Sequence, residues 1–378
     1  MFTRLLYVGD VPVEASYHGS ALLHRLLSPY THEQLVVIET ASQSQPERRL
    51  PNVKYISHPI GKARWLNTRF HPYAVAWFSQ TGTRVGRKIA QSMNGFGCEG
   101  VLTVAHGFGW LAAAGIAGEK NVPLHLLVHD DWPRVADIAP GFHDWLDARF
   151  GRVYRQAWSR FCVSPAMSRA YLERYGAPAE VLYPSRARDC ADFAAPPARL
   201  ARNRKPFTIA FAGTINSGGY ARALRALQNA LEAVSGRLLI FGPQRIDLNA
   251  DIRGLVSADE LLIHLREEAD ALFVPMSFDS PDRANMELAF PSKLADYTAT
   301  GLPLLIYGPG YCSAVAWARE NEGVAEVVES EAGLSDAVTR LANDPAHRMT
   351  LGQRALDVGR KYFSYEQVQQ TFSNALSP

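Results

Sequence analysis

Short apolar runs alternate with amphipathic helical stretches along almost the whole chain, and the alternation breaks once, at Ser185 to Pro206, SRARDCADFAAPPARLARNRKP. Strands that each feed a helix build parallel sheets, because a parallel pair needs a crossover and the helix supplies it. Before the break, strands are predicted at Leu5 to Val8, Leu35 to Glu39, Val53 to His58, Gly100 to Ala105, Leu124 to His129, Arg160 to Val163 and Glu180 to Tyr183. Clear helices fall at Ala74 to Met93, Trp110 to Lys120, Phe142 to Trp158 and Ala166 to Tyr175. After it, strands are predicted at Phe207 to Ala212, Arg237 to Phe241, Ala271 to Pro275, Leu302 to Tyr307 and Val324 to Val328, with a helix at Ser292 to Thr300 and a long helical tail from His347. A chain of 378 residues is too long for one hydrophobic core. The expected fold is α/β: two Rossmann-like, doubly wound parallel-sheet domains facing a cleft. Their expected bounds are 1–186 and 206–360, with a linker at 187–205 and a C-terminal helix, 361–378, packing back on the first domain.

Composition excludes several classes. With 47% hydrophobic and 20% charged residues the chain reads as a soluble globular protein. No apolar run reaches the roughly 18 residues of a membrane span, and MFTRLLYVGD enters a strand directly, so a cytoplasmic location is expected. Cys98, Cys162, Cys190 and Cys312 lie far apart without metal-ligand spacing, so they are expected to be reduced thiols. Residues 1–186 carry 20 Lys and Arg against 14 Asp and Glu, or +6, and residues 187–378 carry 19 against 23, or −4. A basic first half suits an anionic partner, although a solvated surface explains the imbalance as well.

Ligands of doubly wound sheets bind beyond the carboxyl ends of the strands, so the residues there are the candidates. Phe290 to Pro303, FPSKLADYTATGLP, opens a helix with a Pro-Ser-Lys turn. Free amides, the helix dipole and Lys293 would meet at one point, which suits a phosphate, while Asp296 stands where a carboxylate can accept ribose hydroxyls. An ordinary capped helix, with Ser292 as N-cap, fits the segment too. Gly9 and Asp10 end the first strand; His106 opens HGFGW and His129 opens HDDW after adjacent strands; Gly213-Thr214 and Phe241-Gly242 end strands of the second half. Neither a dinucleotide fingerprint nor a P-loop is present, zinc has no ligand set, and no G-x-S-x-G elbow offers a serine nucleophile.

In their order, VLTVAHGFGWLAAAGIA, NVPLHLLVHDDW, RFCVSPAMSRAYLERYGAPAEVLYPS, FTIAFAGTI, GRLLIFGP, GLVSADELLIHLREEADALFVPMSF and FPSKLADYTATGLPLLIYG resemble the GT-B glycosyltransferases, and most nearly the family-four group of mostly retaining enzymes. The resemblance implies that His129 lines the donor sugar and that Asp296 binds the nucleotide ribose as the second acid of an E-x7-E motif. By the same resemblance Phe290, Ser292 and Lys293 present backbone and charge to the diphosphate, and Leu255 and Val256 hold the base. Two departures stand out. The first acid of the motif falls on Leu288, with Glu287 one position away; the family's Arg and Lys pair falls near Thr214 and Tyr220, leaving Lys293 as the phosphate cation with Arg222 or Arg245 as helpers.

The implied function is a nucleotide-sugar-dependent glycosyltransferase acting in cell-surface polysaccharide or glycoconjugate synthesis. It would move a sugar from a nucleoside-diphosphate donor to a glycan or lipid-linked hydroxyl, with retention, without a metal, and with no cofactor beyond the donor as co-substrate. Asp130 or His106 would be the base if the configuration inverts. Three further readings stay open: a glycosyltransferase-like protein that binds without turnover, a sugar-nucleotide epimerase of the same fold, and a two-domain solute-binding protein. KARWLNTRFHPYAVAWF, residues 62–78, gathers basic and aromatic residues that suit either peripheral contact with the inner face of a membrane or a buried helix face. No nucleic-acid partner is expected.

Overall fold

The computed structural model describes residues 4–376 apart from 17, 42, 62, 67, 94, 216, 244–246 and 257. It divides into two compact units, Met1–Tyr183 with Val368–Pro378, and Pro184–Gln367.

The first unit is a seven-stranded sheet of β1 (Leu5–Gly9), β2 (Leu35–Glu39), β3 (Lys54–Ser57), β4 (Gly100–Val104), β5 (Leu124–Val128), β6 (Ser159–Cys162) and β7 (Glu180–Val181). Their order is β3-β2-β1-β4-β5-β6-β7, and every pair is parallel. β1, β2, β4 and β5 are buried along their whole length, which is why they read as continuous apolar runs instead of alternating ones.

The second unit is a six-stranded sheet of β8 (Thr208–Ala212), β9 (Arg237–Phe241), β10 (Ala250–Gly254), β11 (Ala271–Pro275), β12 (Leu304–Tyr307) and β13 (Ala325–Val328), ordered β10-β9-β8-β11-β12-β13 and again all parallel. β10 is missing from the strands expected from sequence. Its residues, ADIRG, form a half-exposed edge with no apolar run, and Arg253 pairs there with Asp251 at 2.9 Å and Glu268 at 3.0 Å. The helix Gly218–Glu232 covers this sheet with Ala223, Leu224, Leu227 and Leu231, a stripe at helical spacing that packs with Ile209, Phe211 and Ile240 in one core.

The segment read as a linker belongs to the second unit. Arg199 pairs with Asp270 at 2.8 Å, and the buried Arg348 donates to the carbonyls of Leu200 at 3.2 Å and Arg202 at 2.8 Å. The helical tail is two helices, Pro345–Phe363 and Tyr365–Leu376, separated at Ser364 by an extended backbone. Val368, Phe372 and Leu376 of the last helix, one turn apart, enter the core of the first unit; Phe372 lies 5.6 Å from the ring of Phe161, and Gln369 donates to the Leu26 carbonyl at 2.9 Å. Burial of three such side chains is worth several kcal/mol, at about 1.5–3 each.

In each sheet the strand order reverses direction once, between β1 and β4 and between β8 and β11. Such a reversal opens a crevice at the strands' carboxyl ends, because the following helices leave to opposite faces.

Candidate active site

At the reversal in the second unit, β8 is followed by Gly213 with φ +139°. A Cβ there would lie 3.3 Å from Lys293 Nζ, so the absence of a side chain lets the ammonium reach the strand end. Lys293 Nζ sits 4.1 Å above the ring of Phe211 and 5.8 Å from that of Tyr220. No carboxylate pairs with it among the described residues, and burial holds its pKa down from 10.5 to about 7. A cation supported by two aromatic faces, without a counter-ion, has the chemistry to receive an anion. Beside it, the helix Gly218–Glu232 begins with no acid in its first turn and no side-chain cap, leaving amides for the same anion.

The segment that carries Lys293 is fixed from behind. Its helix spans Lys293–Tyr297, shorter than the expected Ser292 to Thr300, because the chain continues in tighter turns, with Ala299 N–H donating to Asp296 and Thr300 N–H to Tyr297. Ser292 makes no cap hydrogen bond. The Tyr297 hydroxyl accepts from Ala212 N–H at 2.6 Å and donates to Ala212 O at 3.2 Å, which locks the end of β8 to the Lys293 turn. Arg186, buried, donates to Ala295 O and Thr298 Oγ1, each at 3.1 Å, and the negative charge of Asp296 offsets part of its burial penalty. Asp296 is half-buried one turn beyond Lys293. Phe290 is buried edge-on against Trp317 at 5.7 Å and beside Phe363 at 5.8 Å, so its ring is scaffold.

The other expected donor residues divide into two sets. Phe241 is buried and stacked on His264 at 6.0 Å, while Gly242 lies so near the Gly213 carbonyl that a Cβ would stand 2.5 Å from it; Thr214 follows directly. These gather around the end of β8. Leu255 and Val256 follow β10, with Leu255 exposed. Glu287 is exposed on the short helix Arg283–Leu288 and acts electrostatically on Tyr311 and Cys312, whereas Leu288 is buried. Arg222 is held by Asp279, which removes it as an unpaired phosphate cation; Arg245 lies outside the described residues. Sequence reasoning missed Arg186 and Tyr297. Arg186 looks like one of the two solvated arginines in SRARDC, and only Tyr297's place four residues after Lys293 hinted at its role.

At the reversal in the first unit the anion is built in. Asp10, buried at the end of β1, accepts from Thr40 Oγ1 and from Phe108 N–H at the start of the helix Gly109–Lys120. Burial raises its pKa, and the bonds from Thr40, Phe108 and Gly109 with the nearby His106 pull it back. Gly9 has no room for a ligand's approach: a Cβ would stand 2.4 Å from the Tyr7 hydroxyl, and Gly109 is packed onto Gly9 Cα. His106 is exposed, 5.7 Å from the ring of Trp132. His129, at the end of β5, has its pKa lowered by burial and by His106, with Asp130 opposing, so it is neutral at pH 7. The structure thus places Asp10, His106, His129 and Asp130 on one sheet edge. Asp131 points elsewhere, buried in a pair with Arg174 at 2.7 Å.

No protein-family model and no curated protein sequence matches the chain. Solved structures do. Anabaena Alr3699/HepE in complex with UDP and glucose is 14% identical over 99% of each chain, with a TM-score of 0.66. The OtsA apo structure is 14% identical over 100% of this chain and 99% of that one, with a TM-score of 0.66. A glycosyltransferase from Rickettsia africae ESF-5 is 14% identical over 99% and 97%, with a TM-score of 0.65. At these identities the likeness is one of architecture: the chain has the GT-B fold, two Rossmann-like domains in series.

Proposed function

We propose that this protein is a glycosyltransferase that binds a nucleoside-diphosphate sugar in its second domain and transfers the sugar to a hydroxyl of a glycan or lipid-linked acceptor held by the first. The observation that carries the reading is the unpaired, aromatic-bedded Lys293 at the reversal of the second sheet, beside an uncapped helix. An ammonium at that point stabilises a diphosphate as it leaves, when charge builds on its oxygens. Asp296, one turn on, is set to accept ribose hydroxyls. That the similar Anabaena protein was solved with UDP, UDP-glucose, and UDP and glucose supports a nucleotide-sugar donor.

In the first domain a neutral His129, with Asp130 and His106 on the same sheet edge, makes up the candidate catalytic set. Retention needs no dedicated base there. The charge on the leaving diphosphate is met by Lys293 and backbone amides, so the proposal calls on no metal. A panel of UDP, GDP, dTDP and their sugars in a thermal-shift assay tests it, because a ligand of the folded state raises its melting temperature. One base is expected to stand out. A flat response to all of them would refute the reading.

A further inference from the structure

Between residues 59 and 98 the chain carries six cations, Lys62, Arg64, Arg69, Arg84, Arg87 and Lys88, and no acid. Within the same stretch Trp65, Phe70, Tyr73 and Trp77 are 47–64% exposed, although large aromatics ordinarily bury most of their surface. They are not scattered. With Ala74 and Phe78 they line an apolar cavity of about 480 Å³ on the surface of the first unit.

The helix His71–Ser92 arranges the two features in line. Its inner face, with Ala74, Val75, Gly82, Gly86 and Ile89, packs on the helix Gly109–Lys120 closely enough that a Cβ on Gly86 would stand 2.1 Å from the Ala112 carbonyl oxygen. Tyr73, Trp77, Arg84 and Lys88 are spaced by 4, 7 and 4 residues and so share the opposite face, all exposed. Aromatic side chains thus occupy the first half of this face and cations the second, about 16 Å apart at 1.5 Å per residue. Arg69 adds a guanidinium 5.0 Å from the Phe70 ring. Acids reach this helix only at its ends among the described residues, where His71 pairs with Asp137 at 3.9 Å and Gln91 donates to Glu119 at 3.0 Å.

We infer that this face is a docking surface for an anionic lipid bilayer. Tryptophan and tyrosine favour the membrane interface, where an apolar body and a polar tip are both satisfied, and basic side chains beside them are drawn to acidic headgroups. The positive charge of the stretch favours that partner over a neutral apolar protein surface. The inference is independent of the donor site, since none of these residues belongs to it.

The test is sedimentation with vesicles of phosphatidylcholine alone and of phosphatidylcholine with phosphatidylglycerol. The unmodified chain is expected to pellet with the anionic vesicles, much less with the neutral ones, and less as salt is raised. Trp77→Gln with Tyr73→Gln, and separately Arg84→Gln with Arg87→Gln and Lys88→Gln, are each expected to weaken binding at least about tenfold. All five side chains are exposed, so the melting temperature and its nucleotide-induced rise should stay unchanged, separating this result from failure of the donor reading. Pelleting with neither vesicle, equal pelleting with both, or variants that bind like the parent would overturn the inference. So would self-association that the same substitutions abolish while vesicles capture nothing, which would make the face a contact between copies of the chain.

Discussion

Replacing Lys293 by Met separates two effects that usually travel together. Burial holds the ammonium's pKa at about 7 against an ordinary 10.5, so the folded state binds its proton less tightly than the unfolded chain does. That difference corresponds to roughly 5 kcal/mol, and water reaching a partly buried group leaves on the order of 1–3 kcal/mol of it as a folding penalty. The penalty is fully present below pH 7 and fades as pH rises from 7 toward 10.5, because there the folded group is neutral and the unfolded one is still charged. Methionine fills the same stem space without the charge. Lys293→Met is therefore expected to raise the melting temperature at pH 7, by about 2–4 °C per kcal/mol for a unit of this size. On the proposed reading the same change removes a charge-assisted contact to the diphosphate worth about 1.5–3 kcal/mol, and so is expected to weaken the donor about 10- to 150-fold. Scanning fluorimetry gives the first number and titration calorimetry the second. A variant that melts no higher and binds the nucleotide as before would show that the ammonium is neither strained by burial nor used on a phosphate.

Three further outcomes follow from the same site. Because Lys293 titrates near 7 when empty and a bound diphosphate raises its pKa, affinity for a nucleotide sugar should fall by up to about tenfold per pH unit from pH 7 to 9, with proton uptake visible in calorimetry and absent in Lys293→Met. Asp296→Ala should weaken a nucleoside diphosphate by about 1–3 kcal/mol and leave pyrophosphate affinity alone, whereas Lys293→Met weakens both; competition binding distinguishes them. Tyr297→Phe strips the buried Ala212 N–H of its 2.6 Å acceptor and should cost about 1–3 kcal/mol in urea unfolding, with weaker donor binding as β8 loses its tie to the Lys293 turn.

Much of this architecture was legible because buried parallel strands announce themselves. LLYVG, LVVIE and TIAFA can only be central strands, and the helices between them force the crossovers. β10 was not legible, since an edge strand whose residues pair as ions has no apolar signature. Lys293 could be chosen from its turn, but not its aromatic bed, because Phe211 and Tyr220 meet it only after β8, the helix behind it and the FPSK segment are assembled. Arg186 was hidden for a similar reason. An arginine in a basic connector looks solvated until the fold lays two acceptors, Ala295 O and Thr298 Oγ1, against it from more than 100 residues away. Gly9 misled in the opposite sense: a glycine at a strand end suggests a ligand's approach, yet here the Tyr7 hydroxyl fills the space a Cβ would need, and Gly109 of the helix after β4 packs onto its Cα.

The two sheets repeat one strand order with opposite electrostatics, and the difference is why we assign phosphate chemistry to the second. At the first reversal the amides of Phe108 and Gly109 are already answered by the Asp10 carboxylate, which also accepts from Thr40. A ligand phosphate would meet a negative charge there instead of a vacant helix end. Asp10→Ala should reverse this. The buried amides lose their acceptor, at a cost of about 1–3 kcal/mol and a melting temperature lower by a few degrees, and the helix end becomes open to an added anion. Combined with Lys293→Met to silence the second unit, the Asp10→Ala chain is expected to be protected by millimolar inorganic phosphate, while Lys293→Met alone is not. Equal protection of the two, or an Asp10→Ala chain that melts like its parent, would mean that the carboxylate is not what closes this helix end, and the electrostatic division between the units would fail with it.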